Sequence, residues 1–311
     1  MKKTQFRFPR RPVDGLLLLD KPLGLSSNQA LQKVRNLFKA EKAGHTGALD
    51  PLATGVLPIC LGEATKVAGL LLGNDKSYAV EARLGITTDT DDAEGITLRE
   101  RALAIYPPEL LQTVLREFTG EIQQVPPIYS ALKQGGEPLY LKARRGESIE
   151  IPARPVQIHA IALLPSEPGT LHLQVECGSG TYIRSLVRDI GERLGCGAHV
   201  IALRRLWVEP FQALPLHTLE HLQALAEQGD QALLGALHPI ADALVRIPKR
   251  VLNAQQARRI GMGQKIRLTD VNEACDLIQL CDENSLPLGL ASLEADGLLK
   301  VQRLFRWAAI N

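Results

Sequence analysis

A chain of 311 residues, 45% hydrophobic and 23% charged, has the make-up of a soluble globular protein with room for one large domain and a smaller one. A formal net charge of +2 excludes a wholesale polycation, so any nucleic-acid contact must come from local clusters. Five cysteines without a C-x-x-C pair argue against a disulfide framework or a zinc ribbon and fit a reducing cytoplasm, and the scarcity of aromatic residues leaves the core to aliphatics.

Behind a basic lead, residues 15–20 form an apolar run too short for a signal or membrane segment, so a buried strand and no membrane association are expected. Ser26 or Ser27 caps a helix to about Phe38, with Leu31, Val34 and Phe38 spaced along one face. The next stretch, residues 44–66, mixes glycines and two prolines with a single aspartate, Asp50. Pro51 pushes Asp50 toward extended conformations. Such a loop can present one acid rigidly, or Asp-Pro can simply start a turn. Residues 64–72 read as a short helix, and 76–85 alternate as a strand with Tyr78, Val80 and Ala82 on one face.

The segment 87–95 is acidic but misses the EF-hand register, because Ala93 falls where an acid is needed and the glycine comes too late; it reads as an acidic loop near a site. Pro107 and Pro108 open a helix to about Phe118. Residues 121–155 form a polar excursion carrying Lys133, Lys142, Arg144, Arg145 and Arg154, with Tyr129 and Tyr140 compatible with nucleotide packing. Strands follow at 156–164, 170–177 and 200–208, with a helix at 181–194. Residues 215–243 read as helix, and within them His217, Glu220 and His221 satisfy H-x-x-E-H, which on one helix face would suit a zinc hydrolase. No downstream acidic ligand accompanies the pair, and no metal is expected. From Pro248 short strands alternate with turns, and 249–267 hold Lys249, Arg250, Arg258, Arg259, Lys265 and Arg267 without an acid. That is either a solvated surface or a phosphate-binding patch.

The run from His45 to Lys66 resembles the signature of the TruB-type tRNA pseudouridine synthases, in which the aspartate of GHTGALDP is catalytic. Four further stretches match in order: KPLGLSS at 21–27, KSY at 76–78, VPPIYSA at 125–131 and GTYIRSL at 180–186. The resemblance implies an α+β fold, with a mixed, largely antiparallel sheet and flanking helices over residues 1–247, including an RNA-gripping insertion around 121–155. It also implies a small β-barrel of PUA type over 248–311, a match of pattern rather than of motif.

The activity so implied is conversion of uridine 55 in the TΨC loop of tRNA to pseudouridine. The base leaves the sugar, turns, and is rejoined through carbon 5. No atom is gained and no redox change occurs, so no cofactor is expected, and the G-x-x-x-x-G-K-[ST] pattern is missing. Asp50 takes the role of nucleophile, toward sugar or base. Arg184 keeps it ionised and oriented, and Tyr78 stacks on the base and helps remove the carbon 5 proton. His45 occupies the space of the flipped base, Tyr182 and Leu203 line the uracil pocket, and Lys21 stands nearby. Taken singly, Arg184 reads as a surface cation, Tyr78 and Leu203 as core, and His45 as a hydrogen-bonded loop residue.

The partner so implied is the TΨC arm of tRNA, met by a cytoplasmic monomer. A guide-RNA-dependent relative is the less apt reading, since long Lys-rich tails are missing. A catalytically silent RNA-binding or tRNA-folding protein on the same scaffold is the alternative, disfavoured by the presence of Asp50, Tyr78 and Arg184 together.

Overall fold

The computed structural model describes residues 9–130, 132–145, 147, 149–269 and 273–309. The first strand, β1 (Gly15–Lys21), is buried on both faces. Leu17 and Leu19 enter the main core, while Leu16 and Leu18 join Phe211, Leu244, Leu290 and Phe305 in a second cluster. An unbroken apolar run is what two-sided burial requires, and each leucine so buried contributes about 1.5–3 kcal/mol. Helix α1 (Ser27–Leu37) begins at a capping box: the Ser26 hydroxyl accepts from Gln29 N and the Gln29 side chain accepts from Ser26 N. Such a cap contributes about 1 kcal/mol. The helix buries Ala30, Leu31 and Val34.

Two strands, β2 (Ala43–His45) and β3 (Ala53–Leu61), run through the stretch expected to be a loop throughout. Gly55 and Pro58 break the apolar pattern, yet β3 pairs along its whole length from Gly55 with β1. On its other edge the partners change from residues 203–205 to β2, and Pro58 falls in that gap, where a missing N–H costs least. The helix expected over 64–72 is instead two 3-10 turns, Gly62–Lys66 and Ala68–Leu71.

Next come β4 (Lys76–Leu84), the β5 (Ile86–Thr88) and β6 (Thr97–Glu100) pair, α2 (Pro108–Glu117) and β7 (Gly120–Gln124). The polar excursion contains a small hairpin, β8 (Lys133–Gln134) and β9 (Glu137–Pro138), and then α3 (Leu139–Arg144). Ala131 and the side chains of Lys133, Tyr140 and Arg144 lie outside the described residues. The chain continues through β10 (Arg154–Leu164), β11 (Thr170–Cys177), α4 (Ile183–Arg193) and β12 (Ala198–Val208). The long helix expected over 215–243 is broken into α5 (Leu219–Gln228), α6 (Asp230–Leu234) and a 3-10 turn, Ile240–Ala243.

These strands build an eight-stranded sheet in the order β1-β3-β12-β4-β11-β10-β7, with β2 alongside β3. Only the β3–β12 contact is parallel. The mixed, largely antiparallel sheet with flanking helices is therefore as expected. Strands β12, β4 and β11 are central, and their inward residues Val200, Leu203, Val80, Ala82, Leu173 and Val175 pack in the main core with Ile183, Leu186, Val187 and Ile190 of α4.

Beyond it, β13 (Lys249–Val251), α7 (Ala254–Gly261), β14 (Ile266–Arg267), β15 (Cys275–Cys281), β16 (Pro287–Leu293) and β17 (Leu298–Leu304) form a curled five-stranded sheet ordered β13-β15-β16-β17-β14. It has its own core around Leu252, Ile260, Ile278, Leu280 and Leu299. The sheet docks on the outer face of β1 through the second cluster. Polar groups lock the junction: Lys66 Nζ donates to Leu304 O at 2.6 Å and to Glu63 Oε2 at 2.6 Å, and Glu63 Oε2 accepts from Arg306 N at 2.8 Å. Arg306 also pairs with Asp14. Gln279 donates to the carbonyls of Leu244 and Ile247 at 3.1 and 2.9 Å.

Candidate active site

Asp50 sits in the turn between β2 and β3, and α1 holds that turn. The Ser27 hydroxyl accepts from Leu49 N at 2.7 Å and donates to Leu49 O at 3.0 Å, so both backbone groups next to Asp50 are tied. Gly24 N donates to Pro51 O at 2.9 Å on the other side. The Asp50 side chain remains 43% exposed although its backbone neighbours are tied down. Desolvation there pushes its pKa up, Arg184 pulls it down, Asp92 adds to the rise, and Lys21 opposes it.

Arg184, far from Asp50 in the chain, comes to it from the first turn of α4. Its Nε lies 3.0 Å from Asp50 Oδ2, while the side chain itself is only 5% exposed. Nη1 reaches Asp92 Oδ2 at 3.3 Å and donates to Thr90 O at 2.9 Å, and Nη2 donates to Tyr129 O at 3.0 Å. A buried guanidinium is strongly unfavourable unless paired. Here two carboxylates and two carbonyls surround it, so it is fixed in direction as well as compensated. One turn on, Arg188 pairs with Asp91 at 2.9 Å and donates to Val125 O at 3.0 Å. The helix thus clamps the acidic loop and the VPPIYS stretch together.

Asp92 was not singled out by sequence. It is nearly wholly buried and accepts from Thr90 Oγ1 at 2.6 Å and Glu94 N at 3.0 Å while facing Arg184. The acidity of 87–95 was the only sequence signal for it. The Tyr129 carbonyl had none, because backbone groups leave no trace in side-chain identity.

Tyr78, on central strand β4, is only 7% exposed. Burial raises its pKa, with the Arg205 guanidinium acting against that rise and Asp50 near enough to add to it. Lys21 is fully buried, donates to Pro22 O and Leu25 O at 2.9 and 2.6 Å, and has its pKa lowered to about 8 by desolvation against the pull of Asp50 and Glu94. Leu203 pairs in register with Val80 and Ala53 and lines an open recess of about 480 Å³ that also touches Leu52, two residues past Asp50. His45 lies in β2, and desolvation followed by Arg205 favours its neutral ring.

Arg184, Lys21 and Tyr78 are thus each linked electrostatically to Asp50, and His45 shares with Tyr78 and Lys21 the influence of Arg205. Tyr182 stands apart from that group. It sits at the N-cap of α4, exchanges hydrogen bonds with the Gln124 side chain at 2.8 and 3.1 Å, and stacks under Arg154, whose Cζ is 5.2 Å from the ring centroid.

The zinc-like motif dissolves in three dimensions. Thr218 caps α5 and the helix starts at Leu219, so His217 is not on the helix that carries His221. Among the described residues no group of three or more His, Cys, Asp or Glu side chains is placed to share a metal ion. Among them, too, no helix is long and apolar enough to cross a membrane.

Residues 35–183 match the model of the TruB family pseudouridylate synthase N-terminal domain. Residues 184–245 match the tRNA pseudouridylate synthase B C-terminal domain, and 248–305 the TruB C-terminal model of pseudouridine synthase II. The tRNA pseudouridine synthase B of Xanthomonas campestris pv. campestris (strain 8004) is 57% identical over 300 residues, 96% of each chain. The chain belongs to the TruB family of pseudouridylate synthases.

The family assignment read from the sequence motifs is thus borne out. The tRNA pseudouridine synthase B of Xylella fastidiosa (strain Temecula1 / ATCC 700964) is 51% identical over 300 residues, 96% of this chain and 98% of its own. Among solved structures, a chain of the "Crystal Structure of a Cbf5-Nop10-Gar1 Complex" superposes with a TM-score of 0.73 at 26% identity, covering 95% of this chain and 86% of that one. A pseudouridylate synthase of this family isomerises uridine in RNA, and Asp50 is a partly exposed carboxylate whose arginine partner is itself buried.

Proposed function

We propose that this pseudouridylate synthase acts on tRNA, converting uridine 55 of the TΨC loop to pseudouridine, with Asp50 as the nucleophile. The observation that carries the reading is the Asp50–Arg184 pair: an accessible carboxylate whose partner is itself buried and held by three other groups. A nucleophile needs charge and a fixed direction, and this pair supplies both. The relatives named tRNA pseudouridine synthase B support the choice of RNA.

The target uridine leaves its stack, a step that costs a few kcal/mol. His45, in its neutral form, takes the vacated place, and Tyr78 stacks on the extruded base. Leu203 and Tyr182 line the pocket beside it and Lys21 stands at its base. Asp50 forms a bond to sugar or base, the glycosidic bond breaks, and the base turns and rejoins through carbon 5. Tyr78 takes part in removing the carbon 5 proton, and no cofactor, metal or guide RNA is used.

In this reading residues 1–247 are the catalytic domain, with 121–155 gripping the tRNA arm. Residues 248–311 are a PUA-like RNA-binding domain, its basic stretch 249–267 facing phosphate. The enzyme works as a cytoplasmic monomer.

The test is direct. Purified protein and its Asp50→Asn variant are incubated with an unmodified tRNA transcript, and pseudouridine is mapped by chemical derivatisation. The parent modifies one loop uridine without additive; Asp50→Asn retains tRNA binding and forms no product. Product from Asp50→Asn at the parent rate overturns the nucleophile assignment, and modification elsewhere overturns the site.

A further inference from the structure

The site contains a second buried guanidinium. Arg205 is 1% exposed, more buried than Arg184, and among the described residues it forms no ion pair. A charge so placed needs a structural or chemical reason. Its partners are neutral oxygens: Nε donates to Val56 O at 2.7 Å and Nη2 approaches Gly47 O at 3.5 Å. Both belong to the segments that flank Asp50. The guanidinium lies under the signature turn so closely that a Cβ on Gly47, whose φ is +88°, would stand 3.5 Å from Nη1.

The sheet register carries Arg205 to Tyr78. In the central sheet Arg205 of β12 is the direct cross-strand partner of Tyr78 on β4 and of Gly55 on β3. Directly opposed residues bring their Cβ atoms to about 5 Å on a shared face. Gly55 makes room for this, since a Cβ there would meet Arg205 O at 2.2 Å. The guanidinium consequently lies beside the phenol and works against the rise that burial gives its pKa. An arginine has no acceptor, so the proton of Tyr78 points elsewhere, and Asp50 is the carboxylate near enough to influence it. Lys21, His45 and Lys76 also feel Arg205, and each is biased toward its neutral form with burial as the first cause. The surroundings of the Tyr78 hydroxyl thus carry an unpaired positive charge where a phenolate would complete the pair.

We propose that Arg205 is the positioning residue of Tyr78: it holds the phenol oxygen toward the base and stabilises the phenolate that takes the carbon 5 proton. The proposal rests on the reading of Tyr78 given above. In the step itself the phenol passes its proton to the freed Asp50 carboxylate, and the phenolate then takes the proton of carbon 5. The C5–H electron pair becomes the C5–C6 double bond, and the π pair of the C6=N1 double bond, formed when C5 joined the sugar, recedes onto N1 with the σ bond intact. N1 takes a proton from water, and the proton held by Asp50 neutralises the hydroxide left behind. Arg205 touches neither substrate nor base; it acts through Tyr78.

The experiment measures single-turnover rates on a tRNA transcript made with ordinary uridine or with uridine deuterated at carbon 5. The parent is compared with Arg205→Gln, Arg205→Lys and Tyr78→Phe, with tRNA affinity and thermal unfolding measured for each. Arg205→Gln keeps parent-like affinity but reacts about 100-fold more slowly, the scale of a lost contribution to proton transfer. Its carbon 5 isotope effect rises above that of the parent, because proton removal now limits the rate. Arg205→Lys, which keeps the charge but not the planar fork, falls between the two in both rate and isotope effect. Slow variants whose isotope effect equals that of the parent show a merely structural arginine and overturn the proposal. If Arg205→Gln does not fold, Arg205→Lys decides alone, and an unchanged isotope effect there overturns it equally. Tyr78→Phe turning over at the parent rate removes the Tyr78 reading itself, whereas a slow Tyr78→Phe beside fully active Arg205 variants removes only the role of Arg205.

Discussion

Helices α4 and α7 are both short and amphipathic, and both carry clustered arginines, but they use them in opposite ways. In α4, Arg184 and Arg188 turn inward, where Asp50, Asp92, Asp91, Asp189 and backbone carbonyls accept from them. In α7, Arg258 and Arg259 lie on the exposed side of the last turn; among the described residues Arg259 reaches the neutral Gln264 side chain and Lys265 O at 3.2 and 3.1 Å. The first arrangement uses its charge inside the protein and fixes one carboxylate. The second leaves its charge available to a polyanion in water, where attraction is long-ranged but screened. Under the proposed function, the buried arginines belong to rate and the exposed ones to binding.

The largest effect is expected at α4. Arg184→Lys keeps a positive charge but cannot span Asp50, Asp92, Thr90 O and Tyr129 O at once, so kcat falls about 10²–10³-fold with tRNA affinity nearly unchanged. A parent-like kcat measured in single turnover breaks the contrast between the helices. Asp92→Asn removes the charge behind Arg184 without changing shape, and about 10-fold loss of kcat follows from the loosened guanidinium. The same substitution removes one cause of the raised Asp50 pKa, so the acid limb of the rate moves to lower pH. A pH–rate profile checks that direction.

At α7 the expected change is smaller and of another kind. Arg258→Ala with Arg259→Ala raises KM several-fold at constant kcat, and the slope of log affinity against log salt shrinks by about one for each phosphate no longer neutralised. Titration of tRNA binding at several salt concentrations measures it, and a fall in kcat instead contradicts the division of labour.

The smallest effect concerns stability at Lys21. Its folded pKa, lowered to about 8, lies below the unfolded value of 10.5, so between those limits the unfolded chain binds more protons. This group's contribution to stability therefore rises with pH across that window. Urea unfolding at several pH values shows that rise in the parent, and Lys21→Met flattens it.

Much of the molecule was legible before folding. The capping box at Ser26, the strand of continuous leucines and the helix before Gly195 follow from local rules, and the structure has all three. Asp50 was visible because an Asp-Pro between glycines sits inside a long, ordered motif. Strand β3 was missed since Gly55 and Pro58 look like loop residues; only the neighbouring backbone of Arg205, and the change of partners along the edge, make them fit. The continuous helix over 215–243 failed because Gly229, with φ of 118°, ends one helix and begins another.

From the order of its residues alone, the chain declares its family, its aliphatic core, its main strands and the acid proposed as nucleophile, because these depend on local periodicity and on a motif contiguous in sequence. Whether an arginine is a solvated cation or a buried clamp depends on which distant oxygens surround it, and that is a property of packing. Arg184 owes its role to Asp50, Asp92 and two carbonyls from other segments, and Arg205 owes its place beside Tyr78 to sheet register. Contacts between residues far apart in the chain exist only once the fold has closed, so tertiary structure alone decided them.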